Sequence, residues 1–130
     1  MTLPIIYHPD YVTALPEQHR FPMPKFRLLH DYLLQQQIIQ PEEVYRPQRV
    51  AAAQLELIHT PDYIQGYCNG TLSPQAQRRI GLPWSEALVT RTCTAIGGTI
   101  LTAHLALEFG IACNTAGGTH HAFPDYGSGF

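Results

Sequence analysis

Residues 85–109 read as one long helix, and the Gly97-Gly98 pair at its centre most limits what the chain can become. Ser85-Glu86 supplies a cap and an acid at the positive end of the helix dipole, and Gly110 supplies the stop. Each glycine costs about 0.5–1 kcal/mol in a helix interior relative to alanine. Two in succession predict a site where another backbone packs too closely for a side chain. Leu88, Cys93, Ile96, Ile100, Ala103 and Leu107 have the spacing of an apolar face. Directly after the stop, Ile111-Ala112-Cys113-Asn114 reads as a short buried strand. A long helix followed at once by an apolar strand is the αβ half of a parallel-sheet unit, so the fold class is α/β.

The rest of the chain fits that class. Pro4-Ile5-Ile6-Tyr7 reads as a first strand, closed by His8-Pro9-Asp10. Pro16, Pro22 and Pro24 keep residues 13–24 irregular. Phe26, Leu29, Tyr32 and Leu33 then predict a helix over about 24–36. Ile38-Ile39 and Val44-Tyr45 are alternative brief strands on either side of Pro41. "VAAAQLELI", residues 50–58, favours a short helix. Thr60-Pro61-Asp62 and Ser73-Pro74 are both helix starts, each with a capping hydroxyl and a proline in the first turn. No repeat, low-complexity segment or glycine-serine linker divides the 130 residues, which read as one domain or part of one.

Composition excludes several functions. The formal net charge is −2 with no basic stripe, which argues against nucleic acid. No apolar run approaches the roughly 18 residues of a membrane span, and the first residues lack the charge and apolar core of a signal peptide. Cys68, Cys93 and Cys113 are odd in number and lack CxxC spacing, so they read as reduced, mostly packed thiols of a cytoplasmic protein.

In open α/β sheets, ligands bind beyond the carboxyl ends of the strands. The strand at 111–114 delivers the chain into "GGTHHAFPDYGSGF", residues 117–130, read as a glycine-rich loop. Two imidazoles near one substrate can divide labour there. One takes a proton from water, and the other holds positive charge against a developing oxyanion. Histidine suits both because its unperturbed pKa lies near 6.5. A His-His pair by itself fits a structural role as well as a catalytic one. A purely metal-binding role is short of the three or four protein ligands that zinc takes. His8, His19, His30 and His59 have no ligand spacing with one another, and His30 and His104 fall within helices as packing or structural residues.

The same segment resembles the active-site region of the histone deacetylase superfamily, in a bacterial or class IV-like form. The likeness extends through "IIYHPDY", "HRFPMPKFRLLHDYL" (residues 19–33), "IHTPDYI" (58–64) and the run from Arg79 into the histidines. It implies the N-terminal portion of an arginase/deacetylase-type three-layer fold with a mainly parallel sheet. It also implies a zinc-dependent deacetylase in which metal-activated water hydrolyses the amide of acetylated lysine or an acetylated polyamine. By position, His121 matches the residue assigned general base and then general acid, and His120 its electrostatic partner. Gly129 matches a glycine whose carbonyl accepts from the substrate amide. Phe130 matches an aromatic wall of the acyl-lysine tunnel. Asp125 matches a loop acid with no role that follows from the likeness.

The family's Zn2+ ligands, an Asp-x-His pair and a later aspartate, lie beyond residue 130. The expectation is therefore a single deacetylase-like domain cut after the His-His segment, with no metal held by residues 1–130 and no activity of that piece alone. A non-catalytic remnant serving as a binding module is the alternative. A domain completed by another chain is a third reading. Oligomeric state is not legible.

Overall fold

The structure, a computed structural model, describes residues 3–129. Its centre is a three-stranded parallel sheet in the order β2-β1-β3. Strand β1 (Ile5–Ile6) pairs with β2 (Val44–Tyr45) on one side and β3 (Cys113–Asn114) on the other. Ile5 lies opposite both Val44 and Cys113. The ladders continue past the strand ends through the Tyr7 N–H on the Tyr45 carbonyl and the Thr115 N–H on the Ile6 carbonyl. The middle strand carries the least exposed residues of the sheet, with Ile6 wholly buried. Apolar β-branched residues suit a strand covered on both faces.

Among the described residues the α-helices are α1 (Lys25–Gln35), α2 (Ala52–Leu55), α3 (Pro61–Asn69), α4 (Pro74–Ile80) and α5 (Glu86–Phe109), with α5 packed on β1 and β3. The hydroxyl starts act as the sequence predicts. Thr60 Oγ1 accepts from Tyr63 N–H, Ser73 Oγ from Ala76 N–H and Ser85 Oγ from Leu88 N–H, at 3.3, 3.1 and 3.0 Å. Helix α2 is shorter than its apolar run, and Leu57 and Ile58 beyond it are exposed. Ile38-Ile39 forms no strand. Gln37 turns left-handed at φ 55°, both isoleucine N–H groups fold back onto the Leu33 carbonyl, and Ile39 drops into the core.

The buried face of α5 differs from the expected one. Leu88, Arg91, Thr94, Gly97-Gly98 and Leu105 face inward, whereas Ala103 and Leu107 are exposed. The reason is the glycine pair itself. A Cβ at Gly97 would fall on the Gln48 carbonyl oxygen, and one at Gly98 on the Tyr11 hydroxyl. Where the neighbour is that close, the helix must turn its smallest residues inward. The Val50 N–H donates to the Cys93 carbonyl at 3.0 Å and locks this approach. The strand after α5 is also shorter than read, and Ile111 and Cys113 are exposed, because among the described residues β3 pairs with β1 alone. Cys68 and Cys93 are half-buried and Cys113 is exposed, all as free thiols, so the third is not packed.

Candidate active site

Beyond β3, Thr115 and Ala116 are buried, and Gly117-Gly118 leads into the two histidines. The segment that reads as a loop is a β-hairpin. Strand β4 (His120–Ala122) runs antiparallel to β5 (Gly127–Gly129), pairing His120 with Gly129 and His121 with Ser128. Glycine makes the pairing possible. Gly129 takes φ +156°, and a Cβ there would lie 2.6 Å from the Thr119 carbonyl oxygen. A Cβ at Gly127 would lie 2.8 Å from Tyr63 Oη. A side chain at Gly129 would push β5 off β4, and one at Gly127 would crowd the Tyr63 hydroxyl of α3.

The two histidines are held differently. His120 Nε2 donates to the carbonyl of Ile80, the last residue of α4, at 2.5 Å. Its Nδ1 lies 2.8 Å from Thr119 Oγ1, so both ring nitrogens are engaged and the ring plane is fixed. In the neutral ring, Nδ1 accepts the hydroxyl proton. His121, the next residue along an extended strand, is exposed. Both line one cavity of about 230 Å³ between α3, α5 and the hairpin, with His59, Tyr67, Arg91 and Cys93 on its walls.

Those walls contain groups that the sequence reading passed over. Arg91 is 5% exposed. Its Nε donates to the Tyr11 carbonyl at 3.2 Å, its guanidinium lies 4.8 Å from the Phe26 ring centre, and its Nη2 has no hydrogen-bond partner among the described residues. Burial lowers its pKa. The legible signal was a lone cation three residues from Leu88 and three from Thr94 on the inward stripe. Tyr67 hydrogen-bonds Thr92 Oγ1 at 2.7 Å, and burial pushes its phenol up to about 12. Burial likewise raises the Cys93 thiol, which disfavours the nucleophilic thiolate. His59, dismissed for lack of ligand spacing, bonds the hairpin turn from the cavity wall, with Nδ1 2.8 Å from the Phe123 carbonyl.

Of the other expected site residues, Gly129 sits across from His120, Asp125 is exposed at the hairpin tip, and Phe130 lies outside the described residues. His30 is half-buried and stacks on Tyr7 at 3.8 Å between ring centres, while His104 is exposed on α5. Among the described residues, no three His, Cys, Asp or Glu side chains gather to hold a metal ion. No helix among them is long and apolar enough to cross a membrane.

A parallel α/β sheet that delivers a glycine-framed histidine hairpin to a cavity defines a class of α/β proteins already solved. A crystal structure of a histone deacetylase homolog from Aquifex aeolicus superposes with a TM-score of 0.83 at 26% identity, covering 100% of this chain and 38% of that one. A second homolog, crystallised in complex with SAHA, gives 0.80 at 26%, covering 96% and 36%. The histone deacetylase domain family matches residues 19–130, and the chain belongs to that family. An uncharacterized protein of Picosynechococcus is 71% identical over all 130 residues, which span 43% of its length. The acetoin utilization protein AcuC of Bacillus subtilis is 28% identical over 96% of this chain and 35% of its own. The chain thus spans less than half the length of these relatives.

Proposed function

We propose that these residues form the N-terminal part of a zinc-dependent deacetylase acting on acetylated lysine or acetylated polyamines. The observation that carries the reading is the unequal holding of the histidines. His120 is locked to Ile80 and Thr119, and His121 is exposed at the same cavity. An immobile ring can hold charge in a fixed place, and an accessible one can exchange protons. His121 takes a proton from the attacking water as it adds to the acyl carbonyl, then returns it to the amine nitrogen as the C–N bond breaks. The products are acetate and the free amine. His120 stabilises the charge that builds up, and the Gly129 carbonyl and the Phe130 ring hold the acyl-amine stem. Zinc dependence is part of the family reading. The residues described here contribute proton transfer and positioning, and the metal ligands belong to the remainder of the domain.

The test is a panel of acylated amines hydrolysed by the full-length protein and its His121→Ala variant. General acid–base catalysis supplies about 10²–10⁴-fold, so kcat should fall by that factor in His121→Ala and stay near wild type in His104→Ala. Equal losses at both positions, tracking a lower melting temperature, would show folding damage and sink the assignment.

A further inference from the structure

Ala122, Pro124 and Asp125 of the hairpin that carries the histidines are exposed, and Phe123 stacks on Tyr126 at 4.2 Å between ring centres. Directional bonds tie the hairpin to its neighbours. On one side His120 bonds the end of α4, and Arg79 of that helix lies 4.5 Å from the Tyr126 ring centre. On the other side two consecutive residues at the start of α3 take two consecutive carbonyls of the turn. His59 Nδ1 lies 2.8 Å from the Phe123 oxygen, and the Thr60 N–H donates to the Pro124 oxygen at 2.8 Å.

We propose that His59 is a positioning residue for the histidine pair, acting through the Phe123 carbonyl. The inference rests on the deacetylase reading above. A carbonyl only accepts, so Nδ1 must carry the proton; His59 serves as a fixed donor, with Nε2 the acceptor nitrogen of the neutral ring. The bonded carbonyl belongs to the second residue after His121. Losing the bond leaves the Thr60 N–H as the remaining described hydrogen bond to the turn from this side while His120 remains tied to α4, so the turn shifts about His120 and, of the two histidines, His121 is the one displaced. A displacement of about 1 Å at a reacting group can cost 10²-fold in rate.

Side-chain isosteres separate this role from the alternatives. An asparagine amide nitrogen occupies nearly the place of histidine Nδ1, and a glutamine nitrogen that of Nε2. In the full-length protein, His59→Asn should keep kcat close to wild type. His59→Gln and His59→Ala should lose about 10²-fold in kcat with KM little changed. Hydrogen exchange at the Phe123 amide, which closes the hairpin on the Tyr126 carbonyl, should speed up in the same two variants only. If His59→Asn falls as far as His59→Ala, the imidazole itself does chemistry and the proposal is wrong. It is equally wrong if all three variants keep full rate, or if rate and melting temperature fall together. Should the wild type hydrolyse no acylated amine, the deacetylase reading fails, and exchange at Phe123 still decides whether His59 clamps the hairpin.

Discussion

Around Gly97 and Gly98, α5 meets the Gln48–Val50 backbone and the Tyr11 ring with no room for a methyl group. The β4–β5 hairpin meets α3 and α4 through polar atoms at hydrogen-bond distance. The first contact is specified by volume, and the second, close-fitting only where Gly127 meets the Tyr63 hydroxyl, is specified mainly by direction. A volume contact fails abruptly when an atom is added, because protein interiors are close-packed. A directional contact fails when one donor is lost, and the chain around it can survive. The helix that lines one side of the cavity is therefore backed by a contact that admits no added atom, and the element that brings His121 to the cavity is seated by replaceable bonds.

The largest effect on stability should come from adding one carbon to the close-packed face of α5. In Gly97→Ala the new Cβ overlaps a backbone carbonyl oxygen, which cannot swing aside as a side chain can. Overpacking usually costs about 1–3 kcal/mol, and this case belongs at or above the top of that range. Chemical denaturation of the full-length protein should show a large drop in midpoint or no cooperative transition. A wild-type midpoint would mean that α5 and residues 48–50 can separate at little cost, and the contrast between the two regions would disappear.

A smaller effect per residue should appear at high pH. Burial pushes Tyr11, which packs on Gly98, up to about 12, and does the same to Tyr67 on the cavity wall. Both folded values lie above the ordinary value near 10, so the folded state holds these protons more tightly than the unfolded one. The stability they contribute is complete below pH 10 and is lost as pH rises through 10 towards 12. The expected slope is about 1.4 kcal/mol per pH unit for each phenol. Tyr11→Phe and Tyr67→Phe should each flatten the fall in unfolding free energy measured between pH 9 and 12. An unchanged slope in both would mean that these phenols are hydrated in the folded protein.

The same contrast separates what is legible in the sequence from what is not. The parallel α/β class, the hydroxyl-capped helix starts and the close approach at Gly97-Gly98 were legible, because capping and glycine use follow local chemistry. The inward stripe of α5 was misread. Apolar spacing pointed to Cys93, Ile96 and Leu107, but the stripe is set by what lies across from it, the Gln48 carbonyl and Tyr11, and that is a long-range fact. The hairpin reads as a glycine-rich loop in the sequence, and the clearance that Gly127 and Gly129 give to Tyr63, Thr119 and His120 is visible only in the fold. His120 and His121 stood out as a pair, but their unequal holding depends on Ile80, forty residues away. His59 stands within the "IHTPDYI" likeness, but its bond to the hairpin is not legible for the same reason, since its partner is sixty-four residues on.

The smallest predicted effect is the sharpest test of direction against volume. Thr60 makes two separate contacts. Its Oγ1 caps α3 through the Tyr63 N–H, and its backbone N–H holds the Pro124 carbonyl. Thr60→Ala removes the first and leaves the second. Loss of such a cap costs about 1 kcal/mol, so the unfolding free energy of the full-length protein should fall by that amount. Exchange at the Phe123 amide should stay at the wild-type rate, because the bonds from His59 Nδ1 and Thr60 N–H to the turn are intact. If the amide instead exchanges as fast as in His59→Ala, the hairpin is seated by the stability of α3 as a whole. The two regions would then differ in degree of packing and not in kind.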